Sequence, residues 1–217
     1  LRVALMVALV ASVVTWVGGA GNVSAQGQVY QDSMDSSATG LLSSQSPDPA
    51  RFVYGYQNSQ FIIQSLEQGW SGDLLSFANV PSAPDVSVKI DFFFSFDLTG
   101  KYAFVGCRLG GEDTAYMFEV HPDTAQANIW RFDPGNAVNL ATVTDPSVVT
   151  IGSANNSVEI RCQGSTITGF ANGTQLLTAQ DTTYTTGDPF IGTGKNDATT
   201  DTLLTGFDNL VITDLGT

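Results

Sequence analysis

Residues able to do chemistry are few in this chain. His121 is its single histidine, and its glutamates are Glu67, Glu112, Glu119 and Glu159. Glu119 and His121 are two positions apart, so on a strand their side chains leave the same face. Such a pair could move a proton to and from a substrate, or it could be a solvated polar face. A nucleophilic triad is poorly supplied, because a serine or cysteine needs a base beside it. The sequence has no Gly-x-Ser-x-Gly turn, His-Glu-x-x-His pair or phosphate-cradling glycine loop. Glycoside hydrolysis needs two carboxyl groups about 5–9 Å apart, one of them protonated. Glu119 could serve there with His121, or with Asp91 if the fold brought the two together.

Binding asks less of a sequence than catalysis does. A sugar is held by aromatic faces and planar hydrogen-bonding groups. The candidates are Trp70, Trp130, Tyr54, Tyr56 and Tyr116, with Glu119, His121, Asn128 and Arg131 close by in sequence. Trp130 shares strand parity with Phe132, so both a core and a platform role stay open for it. Ca²⁺ is a possible cofactor, since Asp197 and Asp201 lie on a loop rich in hard oxygen ligands and Asp113 and Asp208 could contribute. None of these follows an EF-hand spacing, and Asp also caps turns. The two cysteines, Cys107 and Cys162, suggest a disulfide in an exported protein. At a separation of about 55 residues it would be worth about 4 kcal/mol in the chain-entropy model. A zinc site is the other use of two cysteines, but a single histidine cannot complete its shell.

These side chains must be carried by strands. From Val86 to Phe96, Val86, Val88, Ile90, Phe92, Phe94 and Phe96 share one face, which is the period of a half-buried antiparallel strand. The same pattern predicts strands over 52–56, 60–66, 74–80, 101–109, 114–121, 128–132, 157–163, 166–171, 174–179 and 203–213. Ser36 to Pro49 reads as an exposed loop, and Asn172-Gly173 as a hairpin turn. Asn172 could also offer its amide to a sugar, although the turn alone explains it. No segment keeps a helical period for three turns. The expectation is an all-β sandwich of a dozen or so strands.

The N-terminus stands apart. Arg2, the apolar run Val3 to Val17 and Val23-Ser24-Ala25 have the layout of a secretory signal peptide. The run is shorter than the roughly 20 residues that span a bilayer. Cleavage after Ala25 would leave residues 26–217 as a single domain, secreted or at the cell surface and monomeric. A formal net charge of −13 argues against nucleic acid or an anionic membrane as partner, since either needs a basic patch.

Three stretches resemble a known superfamily: "YAFVGCRLGGEDTAYMFEVHPD", "SVEIRCQGSTITGFANGTQLLTAQD" and "TGFDNLVI". They are similar to the concanavalin A-like lectins and glucanases. More narrowly, they look like the secreted bacterial modules grouped with laminin-G-like and 3-keto-disaccharide hydrolase (family-16-like) domains. The resemblance rests on Cys107, Tyr116 and Phe118, Cys162, Asn172-Gly173, Asp181, and Phe207-Asp208-Asn209-Leu210. It implies a two-sheet antiparallel jelly-roll sandwich, often used to bind glycans, and it supports linking the two cysteine-bearing strands. Retaining glucanases of this architecture usually carry Glu-x-Asp-x-x-Glu or Glu-x-Asp-x-Glu on one strand. The nearest match, Lys89 to Ser95, has Lys89 and Ser95 where glutamates would stand. The family's activity is therefore not carried over. The leading expectation is a non-catalytic module with a glycan or polysaccharide partner; a hydrolase of this fold and an adhesive domain for protein are the alternatives.

Overall fold

The computed structural model describes residues 27–46, 48–67, 71–95, 97–145, 147–149, 156–196 and 202–216. The expected signal segment, Trp70, Phe96, Asp197 and Asp201 lie outside the described residues. The first seven strands are β1 (Val29–Asp32), β2 (Phe52–Tyr56), β3 (Phe61–Ser65), β4 (Ser71–Ser76), β5 (Val86–Phe94), β6 (Lys101–Leu109) and β7 (Ala115–His121). They continue as β8 (Gln126–Asp133), β9 (Asn136–Thr144), β10 (Asn156–Gln163), β11 (Thr166–Ala171), β12 (Thr174–Gln180), β13 (Asp188–Lys195) and β14 (Leu204–Asp214).

The strands form two antiparallel sheets packed face to face. One runs β12-β11-β10-β5-β14-β3-β2, with β1 paired beside β14. The other runs β4-β13-β6-β7-β8-β9. This is the all-β sandwich that the alternating segments predict, with the two-sheet jelly-roll form that the resemblance implies. On β5, Val86, Val88, Ile90, Phe92 and Phe94 are all buried, and Val158, Ile160 and Cys162 repeat the pattern on β10. The facing sheet answers with Ala103, Val105 and Cys107 on β6 and with Tyr116, Phe118 and Val120 on β7. Each large apolar side chain so placed gains about 1.5–3 kcal/mol on leaving water.

Cys107 and Cys162 form a disulfide with Cα atoms 6.6 Å apart. Because β6 and β10 belong to different sheets, the bridge bolts the layers together through the core. Between β11 and β12, Asn172 and Gly173 both take positive φ, as a two-residue hairpin with the twist of its strands requires. The Asn172 side chain accepts from Ser157 N at 2.9 Å and donates to Val148 O at 2.7 Å and to Asn156 Oδ1 at 2.8 Å. Its amide is used to build the corner.

Some elements depart from the sequence pattern for identifiable reasons. β4 spans 71–76, not 74–80, because Ser71 and Gly72 pair with Lys195 and Gly194. β9 is an edge strand with no fully buried residue, so it has no apolar period to read. β13 alternates glycine with core residues, and glycine resembles a turn. The 36–49 segment is an irregular connection, but Leu41 and Leu42 pin it to the core.

Candidate functional site

The side chains that could meet a ligand lie on the outer face of the six-stranded sheet. Strand parity puts Tyr102, Phe104 and Gly106 there from β6, and Phe190, Gly192 and Gly194 from β13. The register pairs them crosswise: Phe190 with Gly106, Gly192 with Phe104, and Gly194 with Tyr102. A Cβ added at any of the three glycines would fall inside the ring lying over it. Each strand is thus empty where the other is full, and three rings lie down across the sheet. Phe104 and Phe190 pack at a centroid distance of 6.2 Å with planes 67° apart. With Leu74, Met117 and Phe132 these rings border a cavity of about 350 Å³. The Asp73 carboxyl leaves the opposite face of β4, where the Tyr54 hydroxyl donates to it.

The neighbouring strands make the face polar. Phe104 is the register partner of Glu119, Glu119 of Asn128, and Asn128 of Thr142. The Glu119 Oε1 atom accepts from Asn128 Nδ2 at 2.8 Å, Trp130 Nε1 at 2.7 Å and His121 Nε2 at 3.0 Å. An ionised carboxylate can only accept, so Nε2 carries the imidazole proton in this contact. Thr142 Oγ1 in turn donates to Asn128 Oδ1, which fixes the Asn128 amide. The His121 ring packs on Tyr102 at 5.0 Å. Among the described residues none of these donors reaches Oε2, so that oxygen keeps its lone pairs for a ligand. At 7% exposure Glu119 is held rigidly with one oxygen to offer.

Glu119, His121, Asn128 and Trp130 therefore converge on one face. Tyr116 and Arg131, named with them from sequence, leave the opposite side of the same strands. Tyr116 is fully buried, and its hydroxyl donates to Asp181 Oδ1 at 2.6 Å. Arg131 forks onto Asp133 with two bonds of 2.9 Å and reaches Asp181 Oδ2 at 2.6 Å. Tyr54 and Tyr56 lie in the other sheet. So does Asp91, on β5, which excludes it as a partner for Glu119 on one face. Asp208 is the register partner of Asp91 there, away from the rings. Burial pushes its carboxyl up, aided by the nearby charges of Asp91 and Asp35. Among the described residues no three His, Cys, Asp or Glu side chains converge as a metal shell would.

Tyr102, Phe104, Phe190 and Thr142 were not singled out from sequence. A signal existed: Tyr102-x-Phe104-x-Gly106 and Phe190-x-Gly192-x-Gly194 are complementary once their strands are adjacent. That adjacency is a tertiary fact.

The Tyr116–Asp181–Arg131–Asp133 network holds the β12–β13 connection against β7 and β8. Tyr184 Oη closes it by donating to Asp133 Oδ1 at 2.7 Å. Burial alone would push the Asp181 carboxyl up, but bonds from Thr183, Tyr116 and Arg131 outweigh it and hold it well below the usual carboxylate range. A carboxylate with a depressed folded value stabilises above its unfolded pKa, near 3.9, and loses this as the pH falls toward the folded value. Asp181→Asn is therefore expected to lower the melting temperature at neutral pH by several degrees, from about 1.5–3 kcal/mol of lost charged hydrogen bonding. Melting curves from pH 7 to pH 2 should show the two proteins converging below about pH 4. A constant gap across that range would refute the assignment.

No protein-family model matches the sequence, and no curated protein matches it significantly. Solved structures do match. A β-glucanase from Bacillus licheniformis superposes with a TM-score of 0.63 at 10% identity, over 85% of this chain and 97% of that one. A carbohydrate-binding module, CBM66, from Bacillus subtilis gives 0.55 at 14% identity, over 70% and 86% of the two chains. A glycoside hydrolase family 16 endo-glucanase from Bacteroides ovatus gives 0.58 at 8% identity, over 84% and 99%. At such identities the likeness is one of fold. The chain shares the two-sheet jelly-roll fold of this carbohydrate-binding module and these glucanases.

Proposed function

We propose that this chain is an exported, non-catalytic carbohydrate-binding module that lays a glycan across the outer face of its six-stranded sheet. One observation carries the reading: a carboxylate fixed by three donors on one oxygen, with no donor on the other among the described residues, between Trp130 and a row of rings. Sugars present hydroxyls around an apolar ring face, and this surface offers an acceptor, an amide and aromatic planes within one register row. On β7 the residues of this face are Ala115, Met117, Glu119 and His121, so the strand brings one carboxylate where hydrolysis would use two. A second reading, hydrolysis by Glu119 with His121, rests on their 3.0 Å contact and would appear as release of reducing ends. Export is supported by the buried disulfide, which suits an oxidising compartment, and by the signal-like segment before residue 26. Monomeric behaviour belongs to the same proposal.

A glycan array run with and without Ca²⁺ tests this directly. Binding to at least one neutral glycan is expected, and Glu119→Ala should weaken it about 10- to 100-fold through loss of a charged hydrogen bond. Asn128→Ala should weaken it less. No binding to any glycan in either condition would sink the proposal, and an unchanged affinity in Glu119→Ala would move the site elsewhere.

A further inference from the structure

The outer face changes from apolar to polar at the same register on two neighbouring strands. β7 and β8 pair Ala115 with Phe132, then Met117 with Trp130, then Glu119 with Asn128. Phe104, Ala115, Met117 and Phe190 form a buried cluster outside the sandwich core, and the partly buried Trp130 and Phe132 pack against it. Trp130 belongs to both halves: its ring joins this cluster, while its indole N–H donates to Glu119 Oε1 at 2.7 Å. The cavity bordered by the cluster is thus continuous with the carboxylate. We propose, resting on the carbohydrate reading, that this face binds a glycoside with an uncharged apolar aglycone, an alkyl or aryl group. The sugar meets Glu119 and the aglycone fills the cavity.

At about 350 Å³ the cavity has the size of a small-molecule site. It has room for on the order of ten groups of about 30 Å³, the share of one liquid water. That is several times what a methyl or acetyl substituent of a sugar would fill. The charged side chains of the surrounding strands turn away from it. The Asp73 carboxyl leaves β4 on the core side, and Lys101 and Lys195 share parity with the core and are fully buried. Arg131 is held by Asp133 and Asp181 on the far side of β8. Asp113, which borders the cavity, is exposed to solvent. A pyranose placed inside would exchange water for carbon around its hydroxyls, the costly case for a polar group. An alkyl or aryl group has no such loss and gains by leaving water. Met117 and Glu119 leave β7 on one face two residues apart, so a chain lying over Met117 ends where the acceptor begins.

The test titrates the unaltered protein with methyl β-D-glucopyranoside, hexyl β-D-glucopyranoside and hexanol, by calorimetry or ligand-observed NMR, at concentrations too low for micelles. Hexyl glucoside is expected to saturate and to bind at least about tenfold more tightly than methyl glucoside, since each buried methylene is worth about fourfold. It should also bind about tenfold more tightly than hexanol through its sugar contacts. Glu119→Ala should remove that second margin and leave hexanol binding unchanged. Phe132→Ala, which opens the cavity wall, should weaken hexyl glucoside at least about fivefold and leave methyl glucoside as it was. Equal binding of the two glucosides, or failure of hexyl glucoside to saturate, overturns the proposal without any variant. Hexyl glucoside no tighter than hexanol overturns it as well. The two readings fail differently. Glycan binding on the array with no gain from methyl to hexyl removes the aglycone alone. A blank array, with hexyl glucoside equal to hexanol, removes the sugar site.

Discussion

Replacing Cys107 and Cys162 together by serine is expected to lower the melting temperature by roughly 8–16 °C, from about 4 kcal/mol lost in a protein of this size. The bridge closes a loop spanning 55 residues and joins strands of different sheets. Without it the unfolded chain regains the freedom that the loop removes. The folded state also has to bury two serine hydroxyls where fully buried sulfur sits now. Calorimetry of the parent chain in strong reductant should approach the double variant, because both lack the same link. A shift of less than a few degrees in both would mean that core packing alone holds the sheets together. Glycan affinity measured well below the transition should survive, since Glu119 and its donors depend on β7 and β8, not on the bridge.

Arg108→Ala should cost about 3–5 kcal/mol, comparable to breaking a buried ion pair. The side chain is 1% exposed and lies at the end of β6. Its Nε donates to Pro84 O at 2.9 Å, Nη1 to Tyr184 O at 2.8 Å and Nη2 to Gly164 O at 2.8 Å. Three separate connections are gathered by one planar guanidinium, which also sits 5.8 Å from the Tyr116 ring. Alanine leaves three acceptors without a donor, each at about 1–3 kcal/mol when buried. Lysine should rescue little, because a single ammonium cannot reproduce the fork. Urea unfolding gives the readout: a midpoint shift under 0.5 kcal/mol for Arg108→Ala, on the order of a surface substitution, would show that the three connections hold without it.

Much of the architecture was legible in sequence because burial writes itself as a period of two. Val86 to Phe94 could be nothing but a strand with one face inward, and Cys107 and Cys162 sat on two such strands. β13 was invisible for the opposite reason: two of its outward positions, Gly192 and Gly194, are glycine, and the rings that cover them belong to β6. The site divided in the same way. Glu119, His121, Asn128 and Trp130 were findable because they crowd into the twelve residues from 119 to 130 on neighbouring strands β7 and β8 and share a face. Tyr116 and Arg131 flank that stretch on the opposite face, and they went to an internal clamp built on Asp181, which a one-dimensional reading does not bring near. Phe104 and Phe190 needed the sheet order before they could be seen as neighbours.

The rings lying over glycines also bear on how this surface can change. On β6 and β13 a larger residue at Gly106, Gly192 or Gly194 has no room until the ring opposite is removed, so single substitutions there cross a valley of lost stability. Among the described residues the outer face of β7 to β9 carries no such interlock, and one residue can be exchanged there at a time. A lineage built on this sheet would keep its apolar end frozen while hydroxyl recognition drifted freely beside it. One half of the face sets what the molecule can hold on to, and the other half is where its preferences are free to evolve.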